Sequence, residues 1–91
     1  MVVIMFVILT YDVEEKRINR VRKLIKKYLT WTQNSVFEGE ISEGKLHKCF
    51  SELNKIIDKK SDSVYIYRVK NSKNITKDVI GIEKSFEELF L

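Results

Sequence analysis

Asp12 stands where an apolar run ends and a cationic stretch begins, and that junction holds most of the chemistry this sequence can do. Nine apolar residues, Met1 to Leu9, lead through Thr10 and Tyr11 to the carboxylate. A strand buried on both sides would hold such a charge at a rim. Asp12 to Glu15 also has the D-x-x-E spacing of a capping box, so Asp12 has a purely structural reading as the cap of the helix that follows. Between Glu14 and Leu29 lie seven Lys or Arg and two Glu, a local +5 in a chain whose net charge is +4. Excess positive charge concentrated on one segment suits a polyanion, although a solvated helix face is the plainer reading. His47 is the sole histidine and Cys49 the sole cysteine. With no second ligand or base beside them, a metal or triad role is not expected of either.

These groups need elements to hold them. Met1 to Val13 is expected to form a strand, since it is rich in β-branched and aromatic residues and does not alternate. Glu14 to Leu29 is expected to be an amphipathic helix, with Ile18, Val21, Leu24, Ile25, Tyr28 and Leu29 as its apolar stripe. Lys16, Arg17, Arg20, Arg22, Lys23, Lys26 and Lys27 fill the remainder. Trp31 to Gln33 and Val36 to Ile41 fit a short hairpin turning at Asn34-Ser35, one longer bent strand being the alternative. Gly39 marks either a bulge or a close backbone approach. Glu43 to about Asp58 reads as the second helix, capped by Ser42, with Leu46, Cys49, Phe50, Leu53, Ile56 and Ile57 inward. Lys59 to Asp62 is a polar connection, Ser63 to Val69 a strand, and Ile75 to Ile82 a weaker last strand. The tail, Ser85 to Leu91, is apolar enough to require packing on its own domain or on a partner.

Ninety-one residues make a single domain, 1–91, of α+β class: a ferredoxin-like β-α-β-β-α-β arrangement with an extra C-terminal strand. Two helices cover one face of such a sheet, yet the first strand is apolar on both. The other face therefore calls for a second molecule, most simply in a two-fold homodimer. The composition is that of a soluble globular chain, and one cysteine without a mate favours a reducing compartment. No targeting segment is evident and the apolar start is too short to span a bilayer, so a cytoplasmic place with no membrane partner is expected.

Four pieces of the chain together resemble the CRISPR-associated endoribonuclease family, the small subunit of the spacer-integration complex. They are Tyr11-Asp12-Val13; Asn19-Arg20-Val21 with Tyr28-Leu29; Gln33 to Gly39; and Asp62 to Arg68 followed by Ile80 to Ser85. The resemblance implies a ferredoxin-like homodimer with its sheets face to face, the last strand of each copy (within about 75–91) extending the partner's sheet. It implies that Asp12 is the metal-binding and catalytic aspartate. Family members start closer to this aspartate, so Met5 is an alternative start; in some members a basic residue stands where Trp31 is.

One carboxylate is a thin site for Mg²⁺ or another divalent cation, and a two-fold axis would supply the second from the symmetry mate of Asp12. Such a site would hydrolyse RNA or DNA phosphodiesters, demand divalent ions and weaken at low pH. Arg17 and Arg20, supported by Lys16, Lys23, Lys26 and Lys27, are the expected phosphate contacts on duplex DNA or single-stranded RNA. Tyr11 and Phe37 could support substrate but are first expected in packing. Two functions follow from the resemblance: a CRISPR-adaptation homodimer acting with the integrase and having metal-dependent endonuclease activity, or a non-catalytic adaptor that binds duplex DNA and bridges integrase dimers.

Overall fold

The computed structural model describes residues 4–69. The elements run β1 (Ile4–Asp12), α1 (Glu15–Ile25), β2 (Thr30–Gln33), β3 (Val36–Ser42), α2 (Glu43–Asn54) and β4 (Ser63–Val69). Every strand pair is antiparallel and the sheet order is β2-β3-β1-β4. The apolar first strand is therefore central, as its hydrophobicity requires. This is the ferredoxin-like α+β arrangement. The last strand expected over 75–82 and the apolar tail lie outside the described residues.

Alternation along β1 divides the sheet. Met5, Val7, Leu9 and Tyr11 are buried with Val21, Leu24 and Ile25 of α1 and Leu46, Cys49 and Leu53 of α2 in one core. Leu9 sits between Phe37 of β3 and Ile66 of β4, so the centre of that face is apolar on three strands. Each such fully buried side chain contributes roughly 1.5–3 kcal/mol. The opposite face carries Ile4, Phe6, Ile8, Thr10 and Asp12 from β1, in register with Tyr65, Tyr67 and Val69 of β4. There Ile4 is 47%, Tyr65 56% and Tyr67 58% exposed.

Both helices are shorter than their apolar stripes suggest. After Ile25 the chain closes with Tyr28 N–H donating to the Ile25 carbonyl at 2.9 Å and Lys27 N–H to Leu24 at 3.1 Å. These tighter turns let the backbone reverse into β2. Leu29 then covers Gly39: a Cβ on that glycine would lie 3.5 Å from the Leu29 Cδ2. Gly39 has φ 155°, a conformation that other residues seldom adopt. The glycine answers to that φ rather than to a lack of room, since 3.5 Å is ordinary van der Waals distance, and β3 pairs with β1 through it without a bulge. The bulge lies on β2, between Trp31 and Gln33, where the Thr32 hydroxyl donates to the Val36 carbonyl at 2.9 Å. The hairpin turns at Asn34, whose φ is 49°. Ser42 caps α2, accepting from Lys45 N–H at 3.3 Å.

Candidate nucleic-acid and metal site at the end of the first strand

Asp12 is the last residue of β1, is exposed, and lies on the face away from the helices. Its backbone is in register with Ser63 of β4, while its carboxylate makes no ion pair within the described residues. The capping role suggested by its spacing to Glu15 is not realised: the N-cap of α1 is Glu14, and no side chain of the local sequence closes the helix. The reason is a distant one. The carboxylate of Asp62, in the segment before β4, accepts from the Glu14 N–H at 3.0 Å, the N-cap donor that an N3 side chain satisfies in a capping box.

Asp62 is the hub of this end of the molecule. It also accepts from Arg17 Nε at 2.6 Å and Nη2 at 3.0 Å, from Asp58 N–H at 2.9 Å and from the Ser61 hydroxyl at 3.4 Å. Hydrogen bonding to Arg17 holds the Asp62 carboxyl far below the usual carboxylate range, although burial opposes the shift. The same hydrogen bond raises the Arg17 pKa further above its already basic value. A buried carboxylate satisfied from several sides, one of them a bidentate guanidinium, is a structural clamp. The sequence suggests only a polar connection here, because its partners are 45 and 48 residues away.

This clamp changes the reading of the basic helix. Arg17 is expected at phosphate, yet its side chain is turned onto Asp62 and is only 12% exposed. Lys16 is exposed beside Glu14 at 3.8 Å. Arg20, Lys23, Lys26 and Lys27 are exposed, and no carboxylate among the described residues pairs with them. Those four cations are the exposed ones without a carboxylate partner among the described residues.

Tyr11 and Phe37 lie in the core, 6% and 0% exposed, with ring centroids 6.2 Å apart. Tyr11 points to the opposite side of β1 from Asp12, and its hydroxyl accepts from Arg22 Nε at 3.5 Å. His47 is exposed and meets Glu43 at 3.1 Å, while Arg68 holds the same carboxylate at 2.8 Å. Cys49 is buried, and burial pushes its thiol up to about 11, where almost no thiolate exists near neutral pH. Among the described residues no three His, Cys, Asp or Glu side chains cluster as a metal site. Asp12 is thus an oxygen donor without a metal-binding cluster around it among the described residues. That fits Mg²⁺ only if a second carboxylate is brought to it, since this ion accepts one or two carboxylates and fills its other positions with water and phosphate.

The family described as "CRISPR associated protein Cas2" matches residues 5–76. A relative from Thermodesulfovibrio yellowstonii called "CRISPR-associated endoribonuclease Cas2 3" is 61% identical over 87% of this chain and 90% of its own length. One from Thermotoga maritima, "CRISPR-associated endoribonuclease Cas2", is 46% identical over 88% of this chain and 92% of its own. Two solved structures share the fold. "Crystal structure of cas2" gives a TM-score of 0.78 at 48% identity, covering 90% of this chain and 92% of that one. Cas2 from Streptococcus pyogenes at pH 6.5 gives 0.71 at 34% identity, covering 82% and 99%. No helix among the described residues is long and apolar enough to cross a membrane.

Proposed function

This chain belongs to the CRISPR-associated Cas2 family, and on that premise we propose that it is a CRISPR-adaptation protein, a homodimer that acts with the CRISPR integrase and cleaves nucleic-acid phosphodiesters with a divalent cation. The observation that carries the reading is the position of Asp12. It ends the central strand, exposed and unpaired among the described residues, on the sheet face that also exposes Ile4, Tyr65 and Tyr67. A second copy seated on that apolar face would cover it and bring a second Asp12 toward the first.

Asp12 and its counterpart would hold Mg²⁺ or a similar ion. Such an ion, when bound, polarises a phosphate oxygen and lowers the pKa of bound water. Arg20, Lys23, Lys26 and Lys27 hold the phosphate backbone from the helix side of the sheet, the side opposite Asp12, and their charge draws a polyanion there. Arg17 and Asp62 fix the start of α1 and so the direction in which that cationic surface points.

One observation favours the non-catalytic alternative, an adaptor that binds duplex DNA and bridges integrase dimers. Among the described residues no three His, Cys, Asp or Glu side chains gather at Asp12 to form a metal or acid-base centre. Asp12→Ala separates the two. If Asp12 is catalytic, the folded, dimeric variant loses divalent-dependent cleavage of RNA or DNA; cleavage that persists in D12A or in EDTA rejects catalysis at Asp12. Retained duplex binding and spacer acquisition by a cleavage-dead D12A would leave the adaptor role standing alone.

A further inference from the structure

Trp31 lies on β2, an edge strand of the described sheet, and is 44% exposed. An exposed indole on a small domain is a large flat apolar surface in water. Its N–H donates to the Asn34 carbonyl at 2.8 Å, across the hairpin turn, so the ring is held in one orientation. Two cations lie over it, Arg22 of α1 and Lys26 at its C-cap: the Arg22 guanidinium carbon is 5.3 Å from the ring centroid and Lys26 Nζ is 5.7 Å away. Arg22 is half-buried and bound to the Tyr11 hydroxyl, whereas Lys26 is exposed. No carboxylate among the described residues forms an ion pair with either.

We propose that Trp31 is a stacking platform for an unpaired base of single-stranded RNA or DNA, with Arg22 and Lys26 taking the adjoining phosphates. The proposal deepens the nucleic-acid reading above and rests on it. A base stacked on an aromatic side chain strengthens binding by roughly tenfold or more, whereas an exposed cation over a ring is worth only a few-fold. A base that displaces the Lys26 ammonium from the indole therefore gains more than is lost. The released ammonium stays beside the ring, where the phosphate of the same nucleotide arrives. A duplex keeps its base faces stacked inside and presents only phosphates, so Trp31 favours unpaired segments over paired ones. An acidic polypeptide would be drawn by the two cations but has no flat ring to match the indole.

Trp31 is the sole tryptophan of the chain, so its emission reports the site directly in the intact protein. The protein is titrated with short oligo-dT and oligo-rU, with a blunt DNA duplex, and with a poly-glutamate peptide. Stacking predicts saturable quenching and protection from acrylamide with one or both single strands, and little change with the duplex. A response to only one of the two strands supports the site and shows which of the two it prefers. Trp31→Ala lowers single-strand affinity about tenfold with duplex affinity unchanged, and Trp31→Phe recovers most of the loss, which a folding defect would not allow. Duplex binding without any single-strand effect on emission overturns the platform and leaves the broader reading intact. Quenching by poly-glutamate but not by either oligonucleotide overturns it in favour of a protein partner. Failure to bind any nucleic acid overturns both.

Discussion

Arg17 Nε lies 2.6 Å from the buried carboxylate of Asp62, and that pair, rather than Asp12, secures the start of α1. The division of labour between two aspartates is the main structural result. Asp62 carries the structural work and Asp12 is left exposed at the strand end. Asp62→Ala is expected to lower the thermal midpoint on the order of 10 °C, more than a surface substitution does, because it strands Arg17 and the Glu14 N–H together. Arg17→Lys is expected to recover part of the loss in Arg17→Ala, since an ammonium keeps the charge but not the two-pronged geometry. Thermal unfolding followed by circular dichroism checks both.

The same pair sets an acid limit on stability. Asp62 is held far below the ordinary carboxylate range by Arg17, so its contribution is fully present above the unfolded value of about 4. It is lost as pH falls from there toward the lower folded value, because the unfolded chain binds the proton first. Urea midpoints measured from neutral pH downward should drop through this range in the wild type. Asp62→Asn should begin less stable and show a shallower drop.

Asp12→Ala is expected to leave stability within about 0.5 kcal/mol of wild type, the ordinary range for an exposed residue. Had Asp12 been the helix cap, the change would cost about 1 kcal/mol. Chemical denaturation distinguishes the two, and it also establishes that any loss of cleavage in this variant is not a loss of fold.

Much of this was legible in the sequence, for reasons that are local. The β-branched run before Asp12, the Asn34 turn and the Ser42 cap all depend on neighbours within a few residues, and the structure forms each of them. The side on which Phe37 and Ile41 are buried follows from strand alternation in the same way. The role of Asp62 was not legible: it opens one of the four pieces that carry the resemblance, but nothing near it in the chain shows what it binds. Its meaning depends on a guanidinium brought from α1 by the folding of the whole sheet. The Arg17 contact was hidden for the same reason: helical spacing puts it beside Arg20, but a buried partner turns it inward. The stripe of α1 ran past Ile25 because Leu29 is buried in the turn rather than in the helix.

The basic face makes a graded prediction. Arg20→Ala and Lys23→Ala should each reduce the slope of log affinity against log salt for duplex DNA by about one. Arg17→Ala, in whatever fraction remains folded, should leave that slope unchanged, because its guanidinium is already neutralised inside the molecule. Binding isotherms over a range of salt concentrations provide the comparison.

The most direct test of the central claim is the count of metal ions per chain, made with Mn²⁺ by electron paramagnetic resonance on the purified protein. A site shared between two Asp12 carboxylates predicts one tightly held ion for every two chains, and none in Asp12→Ala. One ion for every chain, or the same binding in Asp12→Ala, would contradict it.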